Sequence, residues 1–177
     1  MKKLSILAIF FIATCSVVMS QPRAIGGRIG WGIGPSYQHQ IGEKNMIQAD
    51  LDFIGYGWWG IQGTVTFNWL IPLVSVNAGE LNLYPGVGIG GGYEWWGGGW
   101  YLYSSRWGGN GFIGVAGMIG VEWRFKFPLQ LSFGYRPVIG PTFYRNYYFK
   151  NDRVDFYYHG LYSSAIAIGV RYKFGSK

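Results

Sequence analysis

From residue 25 to about residue 138 the chain alternates: odd positions are mostly apolar or aromatic, even positions mostly polar or glycine. In the stretch Gly111 to Phe127 the odd set is Ile113, Val115, Gly117, Ile119, Val121, Trp123, Phe125 and Phe127. The even set includes Gly114, Ala116, Met118, Gly120, Glu122, Arg124 and Lys126. A period of two is the repeat of an extended strand, whose successive side chains point to opposite faces. Sustained over more than a hundred residues, it demands a sheet whose two faces meet different environments. The composition agrees with that and not with a helical bundle or a coil: 20% aromatic, only 13% charged, and thirty glycines in 177 residues.

The first twenty residues stand apart. Met1-Lys2-Lys3 is a positive start, Leu4 to Val18 an apolar core, and Val18-Met19-Ser20 a cleavage-type ending. This predicts a secretory signal over residues 1–20, with a mature domain over 21–177. A lipoprotein reading rests on Ile12-Ala13-Thr14-Cys15, where Thr before Cys is a poor match. The lone cysteine falls within the signal, so no disulfide framework is expected. The formal charge of +7 comes without a dense Lys/Arg run, which excludes a nucleic-acid partner and suits anionic lipid head groups better.

Past residue 20 no apolar run is long enough for a membrane helix. Seven segments read as strands: Ile25–Ile41, Met46–Gly57, Ile61–Ile71, Leu81–Tyr93, Gly111–Phe127, Leu129–Arg136 and Gly160–Phe174, the last with its parity flipped near residue 160. One more is expected in a Tyr-rich hairpin with arms Thr142–Phe149 and Val154–Tyr158. The expectation is an all-β fold, a single antiparallel transmembrane β-barrel of eight strands.

Alternation alone allows a soluble barrel with apolar residues inside or a membrane barrel with apolar residues outside. The polar face is rich in glycine and poor in charge, unlike a water-exposed exterior. Aromatics bunch near strand ends, as interfacial girdles do. The ending Gly169-Val170-Arg171-Tyr172-Lys173-Phe174, with Gly169, Tyr172 and Phe174 at the matching positions, resembles the assembly signal of outer-membrane barrels. With its length and its start, the mature chain resembles a small OmpA/OmpX-type outer-membrane barrel of Gram-negative bacteria. That resemblance implies an outer-membrane location, a monomer, lipid and lipopolysaccharide around it, and the barrel-assembly machinery as a partner.

Eight strands leave an interior just wide enough for side chains to fill. The expected inward charges are Arg28, Asp50, Asp52, Glu122, Arg124, Arg136 and Arg171. Both signs are present, so they read as a salt-bridged plug, with a narrow solute path as the alternative. Inward glycines would make room for Tyr56 and Tyr84. A second expected surface joins aromatics to Arg in two stretches: Trp95, Trp96, Trp100, Tyr101, Arg106 and Trp107, then Tyr144, Tyr147, Tyr148, Tyr157 and Tyr158. Some barrels of this size modify lipid A, which requires a Ser, a His and a carboxylate together. The candidates are His39, His159, Ser163, Ser164, Asp155 and Glu43. His39 lacks an adjacent Ser, and His159 with Ser163 lie about 13 Å apart along a strand. No enzyme, cofactor or metal site is therefore expected; the role read here is structural or surface contact in the envelope.

Overall fold

The structure, a computed structural model, describes residues 22–30, 32–54, 59–95, 109–145, 153–157 and 165–175. They form β1 (Arg23–Gly30), β2 (Gly32–Ile41), β3 (Asn45–Ile54), β4 (Trp59–Trp69), β5 (Ile71–Val76), β6 (Gly79–Leu83), β7 (Gly86–Trp95), β8 (Gly109–Phe125), β9 (Leu129–Tyr135), β10 (Val138–Arg145), β11 (Arg153–Tyr157) and β12 (Ile166–Phe174). The fold is all-β and antiparallel. Eight of the strands, β1-β2-β3-β4-β7-β8-β9-β12, pair in that order and β12 returns to β1, closing a ring. Following partners round the ring from Arg23 leads through His39, Ile47, Phe67, Val87 and Gly117. Carrying the β8–β9, β9–β12 and β12–β1 registers onward gives a stagger of about ten residues, hence strands tilted by about 40°.

The ring has the expected number of strands, differently made up. The segment Ile25–Ile41 is two strands, β1 and β2, folded back between Gly30 and Gly32. Across that fold Ile29 faces Ile33 and Arg28 faces Gly34, so partners share parity. A turn of this register passes the odd/even code on unbroken, which hides it from a reading by periodicity. The arms of the Tyr-rich hairpin add no ring strand. β10 continues β9 on the same register of β8, past a break at Arg136-Pro137, and β11 pairs with β10. β6 and β7 likewise share one register on β8, broken at Tyr84-Pro85. The ladder on β8 runs through both breaks, because Gly117 N–H donates to Pro137 O and Tyr84 N–H to Gly120 O.

Parity decides which way side chains point. Among the described residues up to Phe143, every exposed large apolar side chain is odd-numbered except Val74 and Val76, and every buried polar one is even. The two exceptions follow from a bulge between Pro72 and Val74, where β5 slips against β6 and turns Val74 and Val76 to the outer face. The flip expected near residue 160 occurs earlier, at the β10–β11 hairpin. There Phe143 faces Val154, an odd residue opposite an even one. Val154, Ile166, Ile168, Val170 and Tyr172 are accordingly exposed, and Arg171 is buried.

Two short turns, Gly42-Glu43-Lys44 and Lys126-Phe127-Pro128, lie at the end of the ring opposite the β1–β2 connection. Gly42 sits at φ 65°, the left-handed region that glycine enters without a Cβ penalty. Outward rings cluster at this end, with Phe67 edge-on to Trp69 at 5.5 Å, Trp123 beside Phe125 at 6.1 Å, and Phe125 stacked on Phe127 at 4.8 Å. Inside, Tyr84 packs with Met46, Leu70 and Met118. Its ring fills the space over two glycines, since a Cβ at Gly120 would lie 2.6 Å from its Cζ and one at Gly134 would lie 2.9 Å from its Oη. The expectation for Tyr84 thus holds, while Tyr56 lies outside the described residues. Gly120→Ala should destabilise the ring by about 1–3 kcal/mol through overpacking, seen as a lower urea midpoint.

The candidate functional site is the interior of the ring

Arg28, Asp50, Asp52, Glu122, Arg136 and Arg171 are all buried inside, as parity requires. Asp50, on β3, is the hub. It pairs with Arg136 from the β9–β10 break and with Arg28 of β1 at 3.4 Å. It also accepts hydrogen bonds from the Ser36 hydroxyl and from Gln48 Nε2, the latter at 2.7 Å. Asp52, two residues along on the same face, pairs with the other arm of the Arg136 guanidinium and with Arg28 at 3.6 Å. The planar Arg136 fork bridges the two carboxylates, and Arg28 supplies the second positive charge that balances them.

Arg171 has no ion-paired carboxylate among the described residues, although it is only 1% exposed. Its Nε and Nη2 donate to Ser36 Oγ at 2.9 and 2.7 Å, and its Nη1 donates to Ser132 Oγ at 2.7 Å. Ser36 in turn donates to Asp50, so the positive charge reaches the hub through a hydroxyl. Gly169, of the terminal motif, keeps this contact open, because a Cβ there would lie 2.5 Å from Ser132 Oγ and 2.9 Å from Arg171 Nη1.

A second network lies nearer the turn end. Glu122, fully buried, pairs with Arg124 and accepts a hydrogen bond from Gln130 Nε2 at 2.7 Å. Gln130 also donates to Gln38, and Gln38 to Gln48 at 2.9 Å, which ties the two networks together. Arg124 differs from the other inward charges: its side chain is 18% exposed and it reaches Gln40 Oε1 at 3.1 Å, at the mouth rather than in the middle. The neutral residues Ser36, Gln38, Gln48, Gln130 and Ser132, which wire these charges together, are the ones that a search for charges overlooks. Their parity was the available signal.

Tyr172 is exposed on β12, with Phe174 half-exposed at its end. Of the aromatic surface, Trp95 ends β7, Tyr144 lies in β10 opposite Arg153, and Tyr157 ends β11 opposite Gly140. Trp96, Trp100, Tyr101, Arg106, Trp107, Tyr147, Tyr148 and Tyr158 lie outside the described residues, as do the signal segment 1–20 and His159, Ser163 and Ser164. His39 meets Tyr37, whose Oη is 3.4 Å from its Nδ1. Asp155 is exposed on β11 opposite Thr142, and Glu43 is exposed in a turn. Among the described residues no group of His, Cys, Asp or Glu is placed to hold a metal ion, and no helix is long and apolar enough to cross a membrane.

Compared with known family models, curated proteins and solved structures, the chain matches none. The interior therefore has to be read from its own geometry. Charges of both signs are cross-linked by amides and hydroxyls through the middle of the ring, with an apolar exterior around them.

Proposed function

We propose that the chain is an integral outer-membrane β-barrel protein with a packed polar lumen, serving a structural or surface-contact role in the cell envelope. The observation that carries this reading is the inside-out distribution of polarity. Ile89, Val115 and Ile33 are 66%, 65% and 61% exposed on the outer face, while Asp50, Glu122, Arg136 and Arg171 are buried within. Apolar side chains turned out in such numbers are stable against hydrocarbon and costly against water. Closure of the ring supports the same reading, since a membrane tolerates no unpaired sheet edge. The outward aromatics at the turn end suit an interfacial girdle.

On this reading the short turns face the periplasm, and the sequence between β7 and β8 and between β10 and β11, with its Trp, Tyr and Arg, faces the lipopolysaccharide side. Gly169, Tyr172 and Phe174 serve recognition by the barrel-assembly machinery, residues 1–20 act as the export signal, and the protein works as a monomer. The cross-linked lumen favours a plug over a solute path. Electrophoresis of the refolded protein with and without boiling tests the barrel. A shift in migration on boiling is expected, and a single unshifted band that also fails to float with lipid vesicles would rule the reading out.

A further inference from the structure

At the turn end, the mouth of the ring holds a cavity of about 40 Å³. Arg23, Arg124 and Lys173 converge on it from β1, β8 and β12, with the amides of Gln38, Gln40 and Gln130 between them. Glu122 is the ion-pair partner of Arg124, and the charges of Glu80 and Glu122 also act on Lys173. Lys173 forms no ion pair with a described carboxylate and donates to the carbonyl oxygen of Phe125, using one of its three donors. Arg124 engages Gln40 through Nη1 and Glu122 through Nε, leaving N–H groups of its five-donor fork for another acceptor. Gln130 directs both its bonds to Gln38 and Glu122, deeper in the lumen. The plug's ion pairs do not need Lys173, because Asp50 and Asp52 are matched by Arg28 and Arg136, and Glu122 by Arg124.

We propose that this mouth is a binding site for a carboxylate, held between Lys173 and the Arg124 fork with Arg23 adding positive potential. A water needs roughly 10–15 Å³ of such space, so the cavity has room for a carboxylate group, whose two oxygens match the planar Arg124 fork. Charge-assisted bonds from Lys and Arg are the strong class for such a group. The carboxylate can be a small free acid or the C-terminus of a peptide chain. The inference needs the ring but not the membrane reading; within that reading the mouth opens to the periplasm.

The test is a titration of the chain refolded in uncharged detergent, at constant ionic strength, followed by the backbone amide signals of Gln40, Lys173 and their neighbours in nuclear magnetic resonance. The probes are acetate, chloride, inorganic phosphate, trialanine and trialanine amide. Saturable shifts are expected with acetate, and the amidated peptide should give none. Response to trialanine as well as acetate assigns the site to peptide ends, and response to acetate alone assigns it to small acids. Lys173→Gln should weaken binding about tenfold, the loss of one charge-assisted bond, while Lys173→Arg largely keeps it. No saturable shift with either carboxylate, an equal response to chloride and phosphate, or unchanged affinity in a Lys173→Gln chain that still shows its heat shift would overturn the site. The anion series on the unaltered chain decides the matter even where a variant does not refold, and a persisting heat shift beside a failed titration leaves the barrel reading intact.

Discussion

Replacing Asp50 with Ala should cost the ring about 3–5 kcal/mol, the loss seen when one partner of a buried ion pair is removed. Four donors now converge on this carboxylate, from Arg28, Ser36, Gln48 and Arg136. Without it Arg28 and Arg136 share Asp52 alone, and the Ser36 hydroxyl that supports Arg171 loses its own acceptor. One buried guanidinium of the pair Arg28 and Arg136 is thereby left without a carboxylate of its own. Asn at this position keeps acceptor oxygen but not charge and should fall in between. Urea unfolding of the chain refolded in lipid vesicles measures the loss by linear extrapolation. An Asp50→Ala chain within about 1 kcal/mol of the original would show that the cluster is hydrated and loosely held.

Ile89→Arg should cost about 2–4 kcal/mol in the same assay, the penalty of a charge on the lipid face near the middle of a bilayer. Ile89 is an outer-face residue on β7, paired with Val65 and Val115 and well away from either end of the ring. For a protein whose outer wall meets water, substitution at a site this exposed would fall within roughly 0.5 kcal/mol of neutral. The position therefore separates the two environments more sharply than any change in the lumen does. Phe127→Arg supplies the depth control: it lies in the short β8–β9 turn, exposed, and near an interface the cost should be about 0–1 kcal/mol. Equal and small effects at both positions would count against a membrane around the wall.

The direction in which Arg28, Asp50, Asp52, Glu122 and Arg136 point follows from their even numbers, and that of Arg171 from the flip. Pairing between them does not. Arg28 and Asp50 are distant in sequence, and only the β1–β2 and β2–β3 registers, passing through Gly34 and Ser36, bring them to one level of the ring. The turn between β1 and β2 leaves no mark in the alternation because its register preserves parity. The β5–β6 hairpin is masked because its bulge puts even-numbered Val74 and Val76 on the outer face. Alternation turns Arg124 inward with the other charges but does not encode its depth along the axis, which places it at the mouth.

By itself the chain determined a sheet with one apolar and one polar face, because side-chain direction in a strand is local and needs only the residue's number. It also determined that glycine and small polar residues share the polar face with a few charges. The tertiary structure decided what parity cannot reach: which strands close the ring, that the polar face is the concave one, and which charges meet. Those depend on register and curvature, set jointly by eight strands and by contacts between residues far apart, such as Arg171 on the last strand with Ser36 on the second. Strand direction is a property of each residue with its neighbours, whereas closure is a property of the whole sheet.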